Sequence, residues 1–184
     1  MPDLPERRIV LGEWFTSAEP ALVGTLLGSC VAACLYDPQS GIGGMNHFML
    51  PSNAEDRDAG ARFGVHAMEI LINELMRKGA DRKRIVAKAF GAAAVNSTLT
   101  STVATQNGAF IRDFLAREEI PLAVERLGGT EAREVYMRTD NGEAFVRRIA
   151  KPQAEELERK ELAAWRRLSM PPPPAPFNPD DALF

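Results

Sequence analysis

Two short apolar runs separated by a turn stand out in the pattern of hydrophobic and polar positions. Residues 31–36 are apolar throughout and are bounded by turn-forming residues, which is typical of a buried strand. A second run covers residues 42–50 and ends at a proline. Between them, the sequence DPQSG at residues 37–41 predicts a turn, because proline presets φ and glycine accepts left-handed backbone. The pattern therefore predicts a β-hairpin.

The register of this hairpin brings a thiol close to an imidazole. If the turn is centred between residues 39 and 40, residue 30 lies opposite residue 49. Side chains two positions apart along a strand share a face of the sheet. Cys30 and His47 are then on one face, within reach of a hydrogen bond.

A thiol in this position can become a nucleophile. The pKa of a free cysteine is about 8.5, and it falls beside an imidazole or where backbone N–H groups point at the sulfur. Gly28 and Ser29, directly before Cys30, can supply such N–H groups. The spacing predicts a Cys30–His47 pair that attacks a carbonyl carbon. The structural alternative is a small buried hydrophobic residue beside a satisfied polar side chain.

The rest of the chain alternates between strand and helix patterns. Asp140-Asn141-Gly142 is a strong signal for a second hairpin, and Asn107 is placed to cap a helix. About six to eight strands, two long helices and at least one antiparallel hairpin indicate an α+β fold. Besides the two strands of the first hairpin, the predicted strands are residues 8–15, 85–90, 120–127, 134–139 and 143–149. The two long helices are residues 61–79 and 108–119, and a third helix is predicted over residues 153–168.

The C-terminal part differs in composition from what precedes it. The helix predicted over residues 153–168 is highly charged, with a narrow apolar line through Leu157, Leu162 and Trp165 that packs on the domain or on a partner. Residues 170–184 are proline-rich and predict an extended tail. We therefore expect one domain over residues 1–150, followed by a charged helix and tail over residues 151–184.

Composition narrows the class of protein. The chain has 184 residues, of which 45% are hydrophobic and 26% are charged, as expected for one globular domain with a core. A net charge of −3 lacks the basic character of nucleic-acid-binding proteins. No apolar run is long enough to span a bilayer, and the N-terminus lacks the apolar core of a signal peptide. We expect a cytoplasmic protein with no direct membrane insertion.

The cysteines and histidines raise two further possibilities. Cys30 and Cys34 are about 13 Å apart along one strand, which is too far for a disulfide bond and agrees with a reducing compartment. Together with His47 and His66 they could be proposed as a metal site, but their spacing matches no standard zinc pattern. The expectation is that the protein binds no metal.

Three segments around the first hairpin resemble a known family. The segments TLLGSCVA (25–32), CLYDP (34–38) and GGMNHFMLP (43–51) resemble the signature of CheD, the chemoreceptor glutamine deamidase family of bacterial and archaeal chemotaxis. The resemblance covers roughly residues 8–150. It implies a cysteine hydrolase that converts glutamine side chains of chemoreceptors to glutamate, with release of ammonia and without a cofactor.

The resemblance also assigns roles to residues. It implies Cys30 as the nucleophile, His47 as the base and a threonine upstream of Gly-Ser-Cys as the third catalytic residue. Thr25 is the candidate threonine, and the register could differ by one residue because Gly24 stands beside it. Secondary candidates for binding the substrate or an oxyanion are Gly28, Ser29 and Asn46.

The resemblance further implies a fold and partners. The expected fold is a single α+β domain, a mixed β-sandwich or layered sheet with helices outside, similar to the catalytic domain of cytotoxic necrotizing factor. The expected substrate is the cytoplasmic helices of chemoreceptors, and a CheC-type phosphatase is a possible partner. Two alternatives stay open: a non-catalytic regulatory module that binds such a phosphatase or receptor, and a transglutaminase that uses the same thioester.

Overall fold

The computed structural model describes residues 4–51, 57–95 and 98–169; the proline-rich segment at residues 170–184 lies outside the described residues. These ranges contain nine strands, three α-helices and one short 3-10 helix at Arg82–Arg84. The strands are β1 (Glu6–Arg8), β2 (Trp14–Ser17), β3 (Leu22–Leu27), β4 (Val31–Asp37), β5 (Ile42–Phe48), β6 (Val86–Gly91), β7 (Leu122–Leu127), β8 (Arg133–Arg138) and β9 (Ala144–Arg148), and the helices are α1 (Arg57–Arg77), α2 (Thr98–Arg117) and α3 (Lys151–Ser169).

The strands form two mixed sheets. One has four strands in the order β1-β3-β8-β9, and the other has five in the order β2-β5-β4-β6-β7. Each contains one parallel pair, β1 with β3 and β6 with β7, and its other pairs are antiparallel. The predicted α+β class, with layered mixed sheets and helices outside, is confirmed.

The two central strands of the five-stranded sheet, β4 and β5, are buried on both faces. Along β4, Val31, Ala33 and Leu35 belong to a core shared with α1 and α2, whereas Ala32 and Cys34 belong to a second core shared with β3 and β8. Alternate side chains of a strand point to opposite faces, so β4 serves both cores. The layers are therefore α1 and α2, then the five-stranded sheet, then the four-stranded sheet. The sequence of β4 is a continuous apolar run because neither of its faces meets water.

The predicted hairpin has the expected register. Val31 pairs with Phe48 and Ala32 with His47, so residue 30 comes opposite residue 49 as predicted. The turn is held by the side chain of Asp37, which accepts a hydrogen bond of 2.9 Å from the backbone N–H of Gln39. The register prediction is confirmed.

The single strand predicted over residues 8–15 is wrong. β1 ends at Arg8 and β2 begins at Trp14, and the two strands belong to different sheets. Gly12 lies between them with a φ of 86°, a left-handed conformation that glycine adopts without strain. The extra break helps to explain why nine strands are present where six to eight were expected.

Helix α2 begins ten residues before the predicted start at residue 108. Its first turns are rich in serine and threonine, which favour loops, but Val103 and Ala104 are buried and pack the segment as a helix. Asn107 is therefore not a helix cap. It lies inside α2 with no exposed surface.

Helix α3 packs on the body of the protein. Ala164, Trp165 and Leu168 pack against the core between the two sheets, and Ala154 and Glu161 are buried on the same helix. Within the described ranges, no helix combines the length and apolar character needed to cross a membrane.

Candidate active site

Three polar side chains meet where the two sheets face each other. Thr25 lies on β3 of the four-stranded sheet, His47 lies on β5 of the five-stranded sheet, and Cys30 lies in the short connection from β3 to β4. Each of them is at most 4% exposed. Folding therefore brings the predicted nucleophile, base and threonine together.

Thr25 fixes the orientation and the tautomer of His47. The Thr25 hydroxyl donates to the backbone carbonyl of Ile9 at 2.9 Å, so it can only accept from Nδ1 of His47, which lies 2.8 Å away. We assign the ring proton to Nδ1 on this ground. Nε2 then carries a lone pair and can accept a proton.

The environment keeps His47 neutral. Burial lowers the pKa of the imidazole from 6.5 to about 4, because the charged form would lose its hydration. Nε2 is buried and has no hydrogen-bond partner among the described residues. A neutral imidazole with one unpartnered nitrogen has the properties of a general base.

The thiol of Cys30 is held in its protonated form in this structure. Its Sγ has no exposed surface and lies 3.8 Å from Sδ of Met49, the residue opposite it in the hairpin. Burial raises the pKa of the thiol, and the nearby carboxylate of Glu161 raises it further. Burial also raises the pKa of Cys34 to about 12, which leaves that thiol unreactive.

The end of β6 braces the loop that carries Cys30. The N–H of Ala92 donates to the carbonyl of Cys30 at 2.7 Å, and the N–H of Ala93 donates to that of Gly28 at 2.8 Å. Gly91 has a φ of 111°, and a Cβ there would collide with the Cys30 carbonyl oxygen. Glycine at position 91 is thus required for this close approach.

Asn107 ties the same loop to the second strand of the hairpin. Its side chain donates to the carbonyl of Ser29 and accepts from the N–H of Leu50, both at 2.8 Å. Sequence reasoning missed this role and assigned a cap. A sequence signal did exist: Asn107 lies four residues from both Val103 and Ile111, in line with the buried side of α2.

Glu161 of α3 also enters the site, which the sequence did not predict. Its carboxylate accepts hydrogen bonds from the N–H of Gly28 at 2.9 Å, the N–H of Ser29 at 2.7 Å and the Ser29 hydroxyl at 2.8 Å. The residue is only 4% exposed. A glutamate on a charged helix normally stays in water, so its sequence context gives no signal for this burial.

Asn46 does not join the cluster. Its Oδ1 accepts from the N–H of Ala33 at 3.1 Å, and its Nδ2 donates to the carbonyl of Ala67 in α1, also at 3.1 Å. Neighbouring side chains on a strand alternate in direction, so Asn46 points away from the face that carries His47. It links the sheet to α1.

One group of metal-ligating side chains is present in the described part of the chain. Sγ of Cys30, a ring nitrogen of His47 and a carboxylate oxygen of Glu161 lie within 4.8 Å of one another. These are ligand types that Zn²⁺ accepts. The Glu161 carboxylate, however, is already satisfied by three hydrogen bonds, so no ion is needed to explain its position. Neither Cys34 nor His66 belongs to this group.

A groove leads to the base. Its volume is about 520 Å³, and it lies between the segment around Ile9 and helix α3. Thr25 and His47 line it on one side, and Leu157 and Lys160 of α3 line it on the other. Helix α3 therefore forms part of the wall of the groove.

Comparison with known proteins identifies relatives for nearly the whole chain. The family model described as "CheD chemotactic sensory transduction" matches residues 49–148. A protein of Burkholderia vietnamiensis is 41% identical over 198 aligned positions, which cover 95% of this chain and 80% of the relative. A protein of Dechloromonas aromatica is 41% identical, covering 98% and 90%, and one of Bordetella avium is 44% identical, covering 86% and 74%.

These relatives share one name. Those from Burkholderia vietnamiensis and Bordetella avium are named "Probable chemoreceptor glutamine deamidase CheD", and that from Dechloromonas aromatica has the same name with the suffix 1. Among solved structures, the Bacillus licheniformis hypothetical protein YfiH has a TM-score of 0.41 at 16% identity, covering 61% of this chain and 49% of that one. That likeness is too weak to bear on the site. The family model and the full-length relatives show that the chain belongs to the CheD family.

Proposed function

We propose that this protein is a chemoreceptor glutamine deamidase, which hydrolyses glutamine side chains of chemoreceptor cytoplasmic helices to glutamate and ammonia. One observation carries the proposal: the thiol of Cys30 and a ring nitrogen of His47 lie within 4.8 Å of each other, beside the N–H groups of Gly28 and Ser29. The names of the relatives supply the substrate class.

The first half of the reaction forms a thioester. Nε2 of His47 takes the thiol proton, and Sγ of Cys30 attacks the carbon of the glutamine side-chain amide. The oxyanion that develops accepts hydrogen bonds from the N–H groups of Gly28 and Ser29. Donors of this kind contribute about 3–4 kcal/mol to transition-state stabilisation in other hydrolases. The C–N bond then breaks, and the proton on His47 leaves with ammonia.

The second half restores the enzyme. His47 removes a proton from water, which attacks the thioester, and the C–S bond breaks to give glutamate and the Cys30 thiol. Thr25 holds His47 in the reactive tautomer during both steps, and its 2.8 Å contact with Nδ1 supports Thr25 over its neighbour Gly24 for this role. These steps use no metal or organic cofactor.

The proposal is tested by incubating the protein with a purified chemoreceptor cytoplasmic segment. We expect release of ammonia and conversion of glutamine to glutamate by mass spectrometry, and loss of both in Cys30→Ala and His47→Ala. A primary amine added to the assay identifies a transglutaminase, which would attach the amine to the segment instead. Failure of the folded wild-type protein to release ammonia from any receptor segment would contradict the proposal.

A regulatory binding role is the second candidate, because the thiol of Cys30 has no exposed surface in this structure. In that case wild type and Cys30→Ala would bind a receptor or a CheC-type phosphatase equally well and neither would release ammonia. The proposal also includes two expectations from the sequence. These are a cytoplasmic location and a similarity of fold to the catalytic domain of cytotoxic necrotizing factor. Superposition on that domain checks the second of these.

A further inference from the structure

Helix α3 places a glutamate where the proposed reaction would leave one. Glutamate is the residue that hydrolysis of a glutamine side chain produces. Glu161 brings a carboxylate to within 4.8 Å of Sγ of Cys30 and of a ring nitrogen of His47. It is also carried by a helix, as the glutamines of the proposed substrate are.

The contacts of this carboxylate are those expected of a bound product. The N–H groups of Gly28 and Ser29, which would hold the oxyanion, donate to its two oxygens. The fit is tight, because a Cβ at position 28 would lie 2.6 Å from Oε2 of Glu161. A side chain at residue 28 would push the carboxylate away from these two N–H groups.

The contact between α3 and the body of the protein has features that favour its release. It is held by a row of small and apolar side chains at helical spacing, whereas most of its other residues are charged and exposed. The buried indole N–H of Trp165 has no acceptor among the described residues. Docking therefore leaves a polar group without a partner, which lowers the net stability of the docked state.

We propose that α3 docks Glu161 on the loop that carries Cys30 as an internal, product-like ligand, which a receptor helix must displace before its glutamine reaches Cys30. This inference rests on the proposed function. While α3 is docked, the thiol is buried next to a negative charge, and both conditions keep it protonated. Undocking removes the neighbouring carboxylate, so displacement of α3 would activate the nucleophile as well as free the N–H groups of Gly28 and Ser29.

A specific consequence concerns position 161. Replacing Glu161 by glutamine puts a primary amide where the carboxylate lies. Sγ of Cys30 would attack the carbon of this amide, ammonia would leave with the proton from His47, and water would hydrolyse the thioester. The balance is amide plus water to carboxylate plus ammonia, so the variant would restore its own glutamate.

The docking is tested by alkylation of Cys30 with iodoacetamide in the full-length protein, followed by peptide mass spectrometry. We expect Glu161→Ala to react at least about tenfold faster than wild type, because the docked state loses its anchor. Glu155→Ala, an exposed glutamate on the same helix, is the matched control and should match wild type. Cys34 monitors folding, because Glu161 lies beside Cys30 and not beside Cys34, whereas unfolding would expose both buried thiols. Equal reactivity of Cys30 in wild type and Glu161→Ala would overturn the proposal.

The product-like position of the side chain at residue 161 is tested by the mass of the peptide that contains this residue. We expect glutamate in purified Glu161→Gln and glutamine in the double variant Cys30→Ala/Glu161→Gln. Retention of the amide in Glu161→Gln, by a protein that deamidates receptor segments, would overturn the inference and leave the proposed function standing. Faster alkylation in Glu161→Ala, with no deamidation of residue 161 or of receptor segments, would support docking of α3 and overturn the deamidase function.

Discussion

At the scale of single residues, the site is a chain of hydrogen bonds that ends in an unpartnered nitrogen. The carbonyl of Ile9 accepts a hydrogen bond from the Thr25 hydroxyl, the Thr25 oxygen accepts one from Nδ1–H of His47, and Nε2 has no partner in the described part of the chain. The geometry of this chain makes Thr25 a positioning residue in the proposed reaction. Its effect should therefore appear in catalysis more than in substrate binding.

Replacing Thr25 by valine tests this role. Valine keeps the branched shape and removes the hydroxyl, so His47 loses the group that selects its tautomer. We expect kcat on a receptor segment to fall by about tenfold to a hundredfold with little change in KM. Thr25→Ser keeps the hydroxyl and should stay close to wild type. Equal values of kcat for wild type and Thr25→Val would exclude the role.

The low pKa of His47 predicts how stability depends on pH. Between pH 6.5 and about 4, the unfolded chain takes up a proton at this position and the native protein does not. The free energy of unfolding therefore falls as the pH falls through this range, and the contribution of His47 is fully present only above pH 6.5. Between pH 7 and pH 5 this loss should be about 2 kcal/mol.

Urea unfolding of wild type and His47→Gln at the two pH values isolates this contribution. Glutamine does not titrate, so the loss between pH 7 and pH 5 should be smaller in the variant by that amount. The carboxylates contribute equally to the pH dependence of unfolding in both proteins. Parallel pH profiles would show that the imidazole is not held neutral by burial.

At the scale of elements, the nucleophile loop is positioned by its neighbours. The hairpin β4–β5 sets the face on which Cys30 and His47 meet, the end of β6 holds the carbonyl oxygens of the loop, and Asn107 of α2 holds Ser29. The loop is short, and its carbonyl groups are bonded by two segments other than α3. Its N–H groups therefore have a fixed direction before any substrate arrives.

Gly91→Ala tests how much the close approach of Gly91 to the Cys30 carbonyl contributes to stability. Alanine at this position has both an unfavourable φ and a collision with the carbonyl of Cys30, so we expect a loss of about 3 kcal/mol or more in the free energy of unfolding. Gly128→Ala is a matched control, because its φ is 84° but a Cβ there meets nothing within 4 Å. It should show only the cost of the backbone conformation. Equal losses in the two variants would mean that the close approach at Cys30 is not required.

At the scale of the whole molecule, what the sequence could predict depends on distance along the chain. The register that places Cys30 near His47 follows from a turn inside one hairpin, so local rules were sufficient. The contact of Thr25 with His47 joins two sheets, and only family resemblance indicated it. The sequence does not predict the break within residues 8–15. At Gly12 the chain passes from one sheet to the other, and the pattern of apolar residues does not encode such a change.

Two contacts of the site could not be predicted from local patterns. The sequence predicts a cap at Asn107 because helix propensity is low before it, but tertiary packing overrides that propensity. Glu161 lies more than 130 positions from the loop that it contacts. Its burial depends on N–H donors that exist only after the two sheets have formed, so the charged helix gave no sign of it.

The central claim is that one of two buried thiols acts on a glutamine amide, and a matched pair of variants tests it most directly. Cys30→Ala and Cys34→Ala each remove a thiol with no exposed surface, and both residues belong to the core between the two sheets. Each folded variant is incubated with a chemoreceptor cytoplasmic segment, and conversion of glutamine to glutamate is followed by mass spectrometry. The account predicts conversion by wild type and Cys34→Ala and none by Cys30→Ala; conversion by Cys30→Ala at the wild-type rate would contradict it.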